Sequence, residues 1–73
     1  MLVHAHLVKK ATADGLVEFE DDVELGRVYL VELDSRQHVD LLNDETGEPH
    51  TKEIIFTDEG AWLPLECLRL VTH

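Results

Sequence analysis

The chain has 73 residues, 44% of them hydrophobic and 30% charged; that is enough for one domain with a single small core, and not for a deep catalytic cavity beside it. Sixteen acidic residues against six basic ones give a formal charge of -10; such a field repels phosphate backbones and anionic membranes and favours a cationic partner. The single cysteine forms no internal disulfide and fits a reducing compartment. With no basic leader ahead of His4 and no apolar run near the roughly 20 residues of a membrane span, a cytoplasmic protein is expected.

Residues 2–8 alternate, with Val3, Ala5 and Leu7 on one face and Leu2, His4, His6 and Val8 on the other, which predicts a first strand. Ala11-Thr12-Ala13-Asp14-Gly15 is a turn, because an Asp-Gly pair takes positive φ at little cost. Leu16-Val17-Glu18-Phe19 reads as a short strand, cut off by Glu20-Asp21-Asp22. The run Arg27-Val28-Tyr29-Leu30-Val31-Glu32-Leu33 is the richest strand candidate, apolar on both faces.

After the polar turn Asp34-Ser35-Arg36, the alternating stretch 37–42 and the stretch 51–57 read as a hairpin around the turn residues Asn43 to Pro49, with Val39 and Leu41 inward. Asp58-Glu59-Gly60 turns into the closing segment Ala61-Trp62-Leu63-Pro64-Leu65-Glu66-Cys67-Leu68-Arg69-Leu70-Val71. That segment reads as a short strand, a proline-initiated helical turn and a last strand. Five or six short strands with turns between them predict an all-β barrel or sandwich, and closure into a barrel removes the exposed edges.

From Asp21 onward the order of features resembles an SH3-like barrel. Such domains carry acidic residues before a hydrophobic residue and a glycine that opens the second strand, as in Asp21-Asp22-Val23-Glu24-Leu25-Gly26 leading to Tyr29-Leu30-Val31. They end on a glycine, an apolar pair, a proline, a 3₁₀ turn and a short strand, as in the segment from Gly60 to Leu70. The resemblance implies one small SH3-like β-barrel over residues 1–73, with five or six strands and one 3₁₀ turn near the C-terminus. The early tyrosine motif of peptide-binding members is replaced by His4-Ala5-His6-Leu7-Val8, their paired tryptophans by Gln37-His38-Val39, and the tyrosine after the proline by Cys67. Of the aromatic floor on which a polyproline helix docks, only Pro64 is left.

Three stretches are candidates for function. Glu18, Glu20, Asp21, Asp22 and Glu24 form an acidic cluster that either docks a basic partner, mimics the phosphate spacing of a nucleic acid, or is a solvated loop. If the segment is extended, Glu18, Glu20, Asp22 and Glu24 share a face, where like charges cost stability. His4 and His6, two apart on a strand, suit a zinc or copper ion if His38, His50, Cys67 or an acid adds further ligands; the alternative is a half-exposed strand face. Five histidines also predict a loss of negative charge as pH falls through about 6.5.

Trp62 is either core or an exposed anchor for a partner, and the small barrel favours core. Cys67 lies among Leu65, Leu68 and Leu70 and reads as a small core residue, since a nucleophile needs a positioned base. No phosphate loop, nucleophile elbow, zinc-finger or calcium-loop spacing occurs, so no enzymatic activity and no cofactor are expected. The leading expectation is an acidic interaction or accessory module for a protein with a basic surface, without direct nucleic-acid or membrane binding. A nucleic-acid mimic acting through Asp21 and Asp22, a metal-binding protein acting through His4 and His6, and a homo-oligomer are the alternatives.

Overall fold

A computed structural model describes residues 1–43 and 45–71. It is all β: β1 (Leu2–Leu7), β2 (Val28–Glu32), β3 (Gln37–Leu42), β4 (Pro49–Phe56), β5 (Trp62–Pro64) and β6 (Leu68–Val71), with 3₁₀ turns at Leu33–Ser35 and Leu65–Cys67. The strands form two antiparallel three-stranded sheets, β2-β1-β6 and β3-β4-β5. Among the described residues, no helix is long and apolar enough to cross a membrane.

The alternation of β1 places its side chains as the pattern requires. Ala5 and Leu7 are fully buried while His4 is exposed, because successive residues of a strand face opposite sides. The core centres on Ala5, Val31 and Ile55, one residue from each of β1, β2 and β4, with Val3, Tyr29, Leu33, Leu65 and Leu68 packed around them. Burial of these side chains from both sheets holds the layers together. Cys67 is fully buried, and its Sγ donates to the Ala11 carbonyl oxygen at 3.4 Å. Burial pushes its thiol above the usual range, so it packs as a neutral side chain.

The two ladders are not one continuous closed sheet. They meet at an isolated bridge between Val31 and Thr57 and at the Asp58 N–H, which donates to the Leu30 carbonyl oxygen at 3.0 Å. A third tie is Ser35, whose Oγ donates to the Glu32 carbonyl oxygen at 2.6 Å and accepts from the Phe56 N–H at 2.9 Å. This serine sits in the 3₁₀ turn after β2, a second such turn where the sequence gives only a polar one.

Two other expectations are corrected. Leu16 to Phe19 form no strand but part of an irregular loop: they face no partner strand, and the backbone pairs only within turns such as Gly15 N–H to Thr12 O and Val23 N–H to Glu20 O, both 3.0 Å. The hairpin's return strand begins at Pro49, not Thr51, because the first position of a strand tolerates a residue without an N–H. Of the turn residues between those strands, Asp44 lies outside the described residues.

The loop from Val8 to Arg27 is long for a compact domain, since loops beyond about 12–15 residues without secondary structure are uncommon and often functional. Its ends are fixed by backbone bonds: Val8 N–H to Cys67 O at 2.9 Å, Leu7 N–H to Arg27 O at 3.0 Å and Gly26 N–H to Leu7 O at 2.9 Å. Gly26 has φ 88°, in the region that suits glycine. Its middle is tethered by Asp14. One carboxylate oxygen accepts from Thr12 Oγ1 at 2.8 Å and Leu16 N–H at 3.1 Å, and the other pairs with Lys52 Nζ at 2.8 Å. Lys52, on β4, also reaches Glu66 at 2.6 Å.

Candidate functional site

The tethered loop leans over β5, and between them lies a groove of about 280 Å³. Its floor and walls are Val17, Phe19, Tyr29, Leu63, Pro64 and Trp62. Leu63 and Pro64 are buried, Val17, Phe19 and Tyr29 half-buried. Around this apolar interior stand the exposed carboxylates of Glu18, Glu20, Asp22 and Glu59. The volume lies at the low end for small-molecule sites, which run from about 300 to 1,000 Å³, and suits one or two side chains.

Trp62 is 41% exposed, and the core position on β5 belongs to Leu63, 3% exposed. The expectation that a small barrel would bury Trp62 is thereby corrected: Trp62 opens β5 as its one exposed residue, and Leu63 and Pro64 after it are the two that the strand buries. Trp62 also borders a second, shallower depression of about 640 Å³ with Val17, Glu18, Leu41 and Leu42. Trp62, Val17 and Glu18 thus line both hollows.

The acidic cluster is divided by the structure. Glu18, Glu20 and Asp22 border the groove, whereas Asp21 and Glu24 do not. A turn closed by the Val23 N–H to Glu20 carbonyl bond breaks the extended run on which a single acidic face of Glu18, Glu20, Asp22 and Glu24 depends. Glu24 contributes through its backbone instead. Its N–H donates to the Tyr29 hydroxyl at 3.0 Å, which ties the phenol to the loop. The guanidinium of Arg27 lies over the Tyr29 ring, 4.8 Å from its centroid, and lines the groove as well.

Thr57 lies where the two sheets meet. It is 7% exposed, lines the groove, and its Oγ1 is the one buried side-chain polar atom without a hydrogen-bond partner among the described residues. Neither Thr57 nor the Phe19–Tyr29 wall is singled out by the sequence as functional. Phe19 reads there as a strand residue, and nothing in the pattern shows that the loop folds back over β5.

His4 and His6 point to the outer face of the first sheet. His4 lies between Leu30 and Val71 in the register, and Nε2 of His6 is 2.8 Å from the Gly26 carbonyl oxygen. Among the described residues no group of three or more His, Cys, Asp and Glu side chains is gathered in a way that could hold a metal ion. His38 is on the other sheet, opposite Glu53. The same outer face carries exposed Leu2, Val28 and Val71.

Comparison with protein-family models, with curated proteins and with solved structures finds no match to this chain.

Proposed function

We propose that the chain is an SH3-like β-barrel that serves as an interaction or accessory module, binding a basic protein surface through the groove beside Trp62. The observation that carries this reading is the juxtaposition of an apolar, aromatic-walled hollow with the carboxylates of Glu18, Glu20, Asp22 and Glu59. An apolar hollow contributes affinity by releasing water, and the surrounding acids select and steer a cationic partner. A half-exposed tryptophan fits the anchoring role that tryptophans fill at interfaces. The family reading is supported by the order of elements: a strand, a long acidic loop, a second strand, a hairpin, a short strand, a 3₁₀ turn and a last strand paired to the first. The lone, buried cysteine suits work in the cytoplasm.

The groove's aromatics are Phe19, Tyr29 and Trp62, supplied by the loop, β2 and β5, and not by the positions at which the sequence lacks them. The test is fluorescence titration, on the Trp62 signal, with octa-arginine at low and high salt. Binding that weakens steeply with salt, and weakens again in the triple variant Glu18→Gln, Glu20→Gln, Asp22→Asn, supports the reading. Binding that the triple variant leaves unchanged would place the interaction elsewhere on the acidic surface.

A further inference from the structure

Resting on that reading, we infer that the groove beside Trp62 is a seat for one guanidinium or ammonium group of the partner, and that Arg27 occupies this seat in the free protein. Three independent observations converge on it. First, the Arg27 guanidinium stacks on the Tyr29 ring at 4.8 Å, the position a cation takes over an electron-rich face. Second, four carboxylates border the groove, yet among the described residues none lies within the 4.0 Å of an ion pair with Arg27. The guanidinium is held by the ring and the field, without a fixed partner. Third, Thr57 is among the residues that line the same groove, and its Oγ1, closed off from solvent in the free protein, has no hydrogen-bond partner. A buried hydroxyl without a partner is a standing cost to the fold, and a ligand N–H supplies the missing bond.

Arg27 is exposed and tied to the fold by its backbone, whose carbonyl accepts from Leu7 and whose N–H donates to the Glu24 carbonyl oxygen. Its side chain can therefore leave the ring without moving the main chain. An incoming cation replaces it on Tyr29, reaches Thr57 with a donated hydrogen bond, and gains the four carboxylates. The displaced Arg27 returns to water, where a guanidinium is well solvated. The exchange makes the site selective: a cation without an N–H to give to Thr57 gains less than one with it.

The experiment is titration of N-acetyl-argininamide into the full chain, read by Trp62 fluorescence, for the wild type, Arg27→Ala and Arg69→Ala. The two variants each remove one positive charge, and Arg69 lies on β6 away from the groove. Emptying the seat should tighten binding by about two- to fivefold relative to Arg69→Ala, the ratio expected for a surface cation–aromatic contact. Adding Thr57→Val to Arg27→Ala should then weaken binding several-fold, and tetramethylammonium, which has no N–H, should be indifferent to that change. Equal affinity in the two arginine variants, or weaker binding in Arg27→Ala, would overturn the inference. So would the absence of any argininamide binding; if octa-arginine still bound with its dependence on Glu18, Glu20 and Asp22, the interaction module would stand and only the single-cation seat would fall.

Discussion

Thr57 carries the sharpest consequence at the scale of single residues. Its hydroxyl is buried without a partner, and such a group costs about 1–3 kcal/mol. Replacing it with valine, which keeps the branched shape and removes the unpaired oxygen, should stabilise the free protein. For a domain of this size a gain of about 1 kcal/mol corresponds to a rise in Tm of about 4–8 °C, measurable by thermal unfolding followed by circular dichroism. A fall in Tm would show that the hydroxyl is satisfied in solution. Stabilisation of the fold joined to weaker cation binding is the pattern of a residue kept for its ligand. Trp62 shows why such roles are hard to see in the sequence. A strand places a residue inward or outward by its register, and which of Trp62, Leu63 and Pro64 is left exposed rests on how β5 aligns with β4, where Leu63 pairs with Ile55 and Trp62 with Phe56.

Among the elements, the middle of the loop from Val8 to Arg27 is tethered through one cation. Lys52 holds both Asp14 and Glu66, and its hydrogen bonds lower both carboxyl pKa values, that of Asp14 well below the usual carboxylate range. Carboxyls depressed in the folded state stabilise it above their unfolded values, 3.8 for Asp14 and 4.5 for Glu66, and that stability is lost as pH falls through the folded values. Lys52→Met should therefore lower Tm at pH 7, and the gap from wild type should narrow steadily below about pH 4. A gap that stayed constant between pH 7 and pH 2 would mean that Lys52 acts through its aliphatic packing and not through the two acids. Because the groove's wall is the same loop, the variant should also weaken octa-arginine binding at neutral pH.

The strands and the closing 3₁₀ turn were legible because alternation, Pro64 and the turn glycines are local signals. The loop's path was not. Asp14 and Lys52 are far apart in sequence, and no periodicity announces that a loop tethered by their pairing brings Val17 and Phe19 into one groove with Trp62. Ser35 is similar: it reads as a turn residue, and its bond to the Phe56 N–H appears only when the two sheets are brought together.

For the molecule as a whole, the formal charge of -10 sets a field that gathers cations over the whole surface, and on the proposed reading the groove decides where they stay. The acids were plain in the sequence, but their division, with Glu18, Glu20 and Asp22 at the groove and Asp21 and Glu24 away from it, follows from a turn that composition does not reveal. Long-range attraction of this kind falls off within a Debye length, about 8 Å at physiological salt, whereas contact with an apolar floor persists. Raising salt should thus slow association more than it changes which residues are touched.

The central claim is that a basic partner is bound at one place. Two-dimensional amide NMR of the full chain, titrated with octa-arginine at physiological salt, tests it most directly. The account predicts chemical-shift changes concentrated at Val17 to Val23, Arg27, Tyr29, Thr57 and Trp62. Changes spread evenly over the acidic residues, or centred on Leu2, His4, Val28 and Val71 of the opposite sheet face, would contradict it.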